Sequence, residues 1–117
     1  MLSFSRSNRL ICKQAIDSVF AGPVKISRKS IQLRCQPNHQ SLARLAIIVS
    51  KKVVQQAALR NQYRRIIRES FRHHQETIKG LDLIVIVRSK CTLLDKKLFR
   101  NDVDNLWQLA ANSFNRG

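Results

Sequence analysis

The spacing of hydrophobic positions changes several times along the chain, and each change marks an element. In NRLICKQAIDSVFAG, Leu10, Ile11, Ala15, Ile16, Val19 and Phe20 recur at helical spacing until Gly22-Pro23 stops the pattern. A short helix is predicted near residues 12–21. VKISRKSIQLRCQ and, after a PNHQS turn, ARLAIIVS carry strand character, with Ile31, Leu33 and Cys35 on one face and Gln32, Arg34 and Gln36 on the other. The run Leu45 to Val49 is continuously apolar and predicts a central strand. After Lys51-Lys52 the period becomes 3.6, and the helix it predicts ends at Gly80. LDLIVIVR then predicts a strand with an apolar centre. A last helix runs from about Asp95 to Phe114, with Phe99, Val103, Leu106, Trp107 and Ala110 as its buried stripe and Trp107 as a core residue.

The predicted order is α-β-β-β-α-β-α. Two or three strands in sequence predict a hairpin meander, and the strand–helix–strand unit near residues 44–88 predicts a parallel pair, right-handed by default. No repeat or linker interrupts the chain, so residues 1–117 are assigned to one domain, with an ordered core of about 6–114. A chain of this length buries roughly two thirds of its unfolded surface, enough for one modest core. Five Gly and Pro residues in all exclude collagen-like and low-complexity classes. No stretch reaches the ~20 apolar residues of a membrane span, and MLSFSRSNRLICKQ is too polar for a signal peptide. The expected location is the cytoplasm, with no membrane partner.

Charge changes the picture. The net charge is +15, and residues 1–74 hold 15 Lys/Arg against only Asp17 and Glu69. Repulsion on this scale is relieved by a polyanion, and nucleic acid is the leading candidate. The stretch LRNQYRRIIRESFR (59–72) concentrates that charge: at about 100° per residue, Arg60, Arg64, Arg65, Arg68 and Arg72 span roughly 140° of arc. Leu59, Tyr63, Ile66 and Ile67 lie opposite. A solvated helix face mixes signs at i,i+4, whereas Arg60, Arg64, Arg68 and Arg72 form an uncompensated row. Arginine forks suit phosphate, with Lys51 and Lys52 as point charges beside them. Five such contacts give a log–log salt slope of about −4 to −5. Asn61 suits either a phosphate or sugar contact or a helix N-cap.

Protein-based catalysis finds no support in the residues. The seven acids are scattered, adjacent His73 and His74 diverge by about 100° on a helix, His39 falls in a turn, and no phosphate-cradling glycine loop occurs. Cys12, Cys35 and Cys91 are too far apart for C-x-x-C sites and read as reduced, buried or half-buried thiols. A DNA recognition helix would carry more Asn, Gln, Ser or Thr among its arginines. A general RNA-binding or ribosomal protein shares the basic face.

IIVSKKVVQQAALRNQYRRIIRESFR resembles the signature of the bacterial ribonuclease P protein subunit, a strand ending in S-K-K followed by R-N-R-x-K-R-x-x-R-E-x-F-R. RLICKQAIDSVF and GLDLIVIVRSK resemble its flanks, so the likeness spans roughly residues 6–112. Departures are Gln62 for arginine, Arg64 for lysine, Ile16 for phenylalanine, Ile31 and Leu33 where aromatics are frequent, and Ala46 for glycine. The resemblance implies a compact α/β (α+β) sandwich of ribosomal-protein kind, with a four-stranded mixed sheet and a left-handed βαβ crossover. It also implies that a large RNA subunit hydrolyses precursor tRNA with Mg²⁺ held mainly by RNA, in a 1:1 complex that frees the mature 5′ end. Arg60, Asn61, Arg64, Arg65, Arg68, Arg72, Lys51 and Lys52 would dock on that RNA. A cleft lined by Phe20, Ile16, Ile31, Leu33, Ser50 and Lys51, with Arg88 and Lys90 at its rim, would hold the single-stranded 5′ leader.

Overall fold

The computed structural model describes residues 8–10, 12–22, 24–28, 30–89 and 96–114. Its elements are α1 (Lys13–Ala21), β1 (Val24–Arg28), β2 (Ile31–Pro37), β3 (Arg44–Ile48), α2 (Ala57–His73), β4 (Leu81–Val87) and α3 (Lys96–Ser113), in the predicted order. The strands form one sheet in the order β1-β2-β4-β3. β1 and β2 make an antiparallel hairpin, β2 and β4 are antiparallel, and β3 and β4 are parallel neighbours joined through α2.

Alternation along the strands builds two apolar layers. On one face Ile31, Leu33, Cys35, Leu45, Leu83, Val85 and Val87 pack with Tyr63, Ile67 and Phe71 of α2 and Phe99, Val103, Leu106 and Trp107 of α3. The aromatic rings meet edge to face, Tyr63 with Phe99 at 5.2 Å and Phe71 with Trp107 at 6.0 Å between centroids. The α3 stripe and the core position of Trp107 are as the periodicity predicts. The other face is smaller: Ile84 with Leu10 and Val19, against which Ala15, Ile16, Phe20, Ala46, Ile48 and Ile86 pack half-buried.

Two sequence expectations are corrected, and a third, which allowed two or three strands in the meander, is narrowed to two. The apolar run at Leu45 to Val49 is not central: β3 lies at the end of the sheet, and the buried central strand is β4. β3 is nevertheless apolar because each of its faces meets a helical layer, and because residues 8–10 cover its outer edge. There Arg9 bridges Leu45, the Leu10 amide donates to the Leu45 carbonyl at 2.9 Å, and Asn8 Nδ2 donates to the Ala43 carbonyl at 2.8 Å. The meander stops after two strands, since β3 pairs with β4 and not with β2. Gly80 does not end α2, which closes at His73. With φ of 84° Gly80 instead makes the turn into β4, donating to the Leu42 carbonyl and accepting from the Asn38 amide.

Asp82 holds the far end of the sheet. It is buried and accepts both forks of Arg44 at 2.7 Å and Asn38 Nδ2 at 2.9 Å. The Asp82 hydrogen bond raises the Arg44 pKa above the usual guanidinium value, with burial opposing it. Of the thiols, Cys35 is buried as expected, but Cys12 is exposed at the start of α1, and Cys91 lies outside the described residues.

Candidate nucleic-acid interface

α2 buries Tyr63, Ile67, Ser70 and Phe71 and turns its arginines outward. Its N-cap, Gln56, makes no side-chain cap bond. The chain enters the helix through a turn in which the Val53 and Val54 amides donate to the Ser50 carbonyl. The carbonyls of Val54 and Gln55 each accept from Arg60 Nη1 at 2.9 Å. Arg60 is therefore committed to the loop before the helix. At the other end Arg72 is held by Glu69 at 2.8 Å and places positive charge at the helix C-terminus. Arg64, Arg65 and Arg68 have no intramolecular partner among the described residues. The arginine row thus divides into two structural members and three free ones. Asn61 is exposed on the fifth residue of the helix, which excludes the N-cap role and leaves it beside the free arginines.

α1 covers only part of its face of the sheet. Beside it lies an open groove of about 460 Å³ whose floor is Ala46 and Ile48, with Leu10, Ile16 and Arg9 along one side. Arg64 and Arg68 of α2 form the other side. Two of the three free arginines thus belong at once to the exposed helix face and to the wall of an apolar-floored groove.

Ile16 reaches this groove as expected, but Ile31 and Leu33 do not. They are 1% and 0% exposed and lie in the opposite layer, among the α2 and α3 side chains. The reason is thermodynamic: the apolar side of β2 belongs in the larger core, which leaves Gln32, Arg34 and Gln36 to face α1. Arg34 Nη1 donates to the Phe20 carbonyl at 2.8 Å in the last turn of α1, and its guanidinium lies 5.5 Å from the Phe20 ring centroid. Gln36 Nε2 donates to Ser18 Oγ at 2.9 Å. Phe20 is half-buried, with Arg34 over one face of its ring. Sequence reasoning missed Arg9, Arg34 and Gln36. The alternation in IQLRCQ had separated Arg34 and Gln36 from the apolar side, which was the available signal.

Ser50, Lys51, Lys52 and Arg88 are exposed at one end of the sheet. Ser50 also has a structural role, because its carbonyl anchors the turn and its Oγ accepts from the Val53 amide at 3.3 Å. Lys90 lies outside the described residues. Acids are held elsewhere, Asp82 by Arg44 and Asp104 by Arg100 at 3.0 Å, and among the described residues no group of three or more His, Cys, Asp or Glu side chains could hold a metal ion. Among those residues no helix is long and apolar enough to cross a membrane. The surface offers guanidinium forks, ammonium groups and an apolar floor, the chemistry that holds phosphates and unpaired bases.

Comparisons with known proteins agree with this geometry. A ribonuclease P protein from Staphylococcus aureus matches with a TM-score of 0.75 at 26% identity, over 95% of this chain and 94% of that one. The ribonuclease P protein from Thermotoga maritima matches with a TM-score of 0.73 at 28% identity, over 86% and 94%. A second S. aureus structure, of a mutant with defective mRNA degradation activity, gives 0.74 at 26% over 90% and 89%. The family model for ribonuclease P matches residues 4–111, so the chain belongs to the ribonuclease P protein family and has that family's role as an RNA-binding, tRNA-processing protein subunit of an endoribonuclease complex.

Proposed function

We propose that Arg64, Arg65 and Arg68, with Asn61, Lys51 and Lys52, dock this subunit on the catalytic RNA, while the α1–β3 groove holds the single-stranded 5′ leader of precursor tRNA. In this reading the RNA performs the hydrolysis in a 1:1 cytoplasmic complex. Among the described residues no three or more His, Cys, Asp or Glu side chains gather to hold a metal ion, and Mg²⁺ is assigned mainly to RNA phosphates. The protein supplies cations where RNA strands converge, and this lowers the Mg²⁺ concentration at which they approach. Ile16, Ala46 and Ile48 offer apolar area to leader bases. Phe20, in the last turn of α1, does not line the groove and has no direct part in it, and Arg88 stands at the rim. Ile31 and Leu33 play no direct part, and Arg60 and Arg72 act through the fold.

The observation that carries this reading is that Arg64 and Arg68 belong both to the outward face of α2 and to the wall of the groove, which would bring leader and catalytic RNA together at one wall. The test is precursor-tRNA cleavage by the cognate catalytic RNA at low Mg²⁺, with and without the protein. Strong stimulation with the correct 5′ end is expected. Absence of stimulation, with folded protein and intact RNA, would overturn the reading.

A further inference from the structure

The two edges of the sheet are finished differently. At β3 residues 8–10 cover the edge, whereas β1 has no strand partner on its outer side among the described residues. An uncovered edge presents backbone N–H and C=O groups outward. Beside it runs a groove of about 470 Å³, walled by Lys25, Ser27 and Arg28 on β1 and by Leu109, Asn112 and Ser113 at the end of α3. Lys25 and Arg28 are exposed and have no acidic partner among the described residues, and no acid lines the groove. It shares no lining residue with the groove beside α1.

Strand register connects the two grooves. Arg28 is paired level with Ile31, and Ile31 with Val87, so Arg28 stands at the same end of the sheet as Arg88. The Arg88 amide donates to the Ser30 carbonyl at 2.7 Å. Ile48 is level with Ile86, which brings Ser50 and Lys51 to that same end. Arg28, Arg88 and Lys51 thus mark a basic rim across three inter-strand spacings, about 14 Å. The rim begins at the α1 groove and ends where the β1 groove starts.

We propose that the β1–α3 groove is a second single-stranded RNA site, which takes the phosphodiester backbone of leader nucleotides upstream of those in the α1 groove after the strand crosses this rim. The proposal rests on the leader reading above. Lys25 and Arg28 meet phosphates, the outward amides of β1 donate to phosphate or ribose oxygens, and Asn112 and Ser113 reach ribose hydroxyls. The groove contains no aromatic ring, so its contacts are sequence-independent.

The test uses the reconstituted holoenzyme with mature tRNA and with precursors whose leaders are roughly 4 and roughly 16 nucleotides, the range of single-strand protein sites. The leader reading requires tighter binding of the short-leader precursor than of mature tRNA. The second site requires a further gain for the long leader. Lys25→Glu/Arg28→Glu, and separately Asn112→Asp on the other wall, are expected to remove that further gain several-fold while short-leader binding and cleavage stay unchanged. In the double variant the salt slope for the long leader shrinks by about 1.4, from two lost single-strand phosphate contacts. Equal affinity for both leaders in the unaltered protein, or equal losses on both in the variants, overturns the second site and leaves the α1 groove standing. No discrimination between mature tRNA and the short-leader precursor overturns the leader reading itself.

Discussion

Arg60 and Arg64 are one helical turn apart and chemically identical, yet the loop carbonyls of Val54 and Gln55 occupy the first and nothing within the described protein occupies the second. Arg60→Gln is expected to lower stability by about 1 kcal/mol, the net worth of its hydrogen bonds. Arg64→Glu/Arg65→Glu should leave the melting temperature unchanged and abolish assembly with the RNA. A large fall in melting temperature for the second variant would return those arginines to the fold. Both residues are legible in the sequence as members of one row, but their division is not, because it depends on where the preceding loop places its carbonyls. The cysteines divide in the same way. Burial pushes the Cys35 thiol up to about 12, from an ordinary value of 9.0. Its folded pKa lies above its unfolded one, so the thiol's contribution is intact below about pH 9 and is lost as pH rises towards 12. The loss is about 1.4 kcal/mol per pH unit in that window. Denaturation of the protein and of Cys35→Val across that range should differ by this slope, and alkylation of the native protein near pH 8 should modify exposed Cys12 while sparing Cys35. Parallel slopes would show that the thiol ionises without unfolding.

Between elements, polar side chains tie α2, the helix that carries the arginines, to α3. Ser70 is fully buried on α2, where its Oγ accepts from Trp107 Nε1 at 2.7 Å and donates to Asp104 Oδ1. His74 Nδ1 donates to the Ser70 carbonyl at 2.7 Å, and Arg100 Nε donates to Asp104 at 3.0 Å. Ser70→Ala leaves the Trp107 indole N–H without its acceptor and removes one donor from Asp104, at a cost of about 1–3 kcal/mol. Urea unfolding followed by fluorescence of Trp107, the single tryptophan, should show that loss. RNA affinity should fall with it although no arginine has changed. A shift in the urea midpoint too small to measure would mean that water replaces the hydroxyl. None of this is visible in periodicity, which places Ser70 and Trp107 on buried faces without saying that they meet. The same limit governs β2. Alternation in IQLRCQ separates the two faces correctly, but which face meets α1 depends on the relative sizes of two cores formed by distant segments. β3 reads as central for a related reason, since residues 8–10 cover an edge that local sequence leaves open.

The whole molecule keeps its acids off one basic surface. Among the described residues, Asp82 is spent on Arg44, Glu69 on Arg72, Glu76 on Lys79 and Asp104 on Arg100. None of them reaches Arg64, Arg65 or Arg68, so the net charge of +15 is expressed along α2, the rim and the grooves. Opposite charges in water attract weakly at exposed sites, and these pairs matter less as staples than as a way to leave one surface uncompensated. That surface should declare itself through counterion release. With Arg64, Arg65, Arg68, Lys51 and Lys52 each meeting one phosphate of the catalytic RNA, the log–log dependence of assembly on salt should have a slope between about −3.5 and −4.5, bounded by single-strand and duplex behaviour. Neutralising two of the five, as Arg64→Gln/Arg65→Gln, should reduce its magnitude by about 1.4 to 1.8. The same pair in Arg60→Gln/Arg72→Gln should leave the slope close to that of the unaltered protein, because those two guanidiniums are already engaged within the fold. Equal slope changes in the two variants would mean that all five arginines act as one undivided face, as the sequence alone implies.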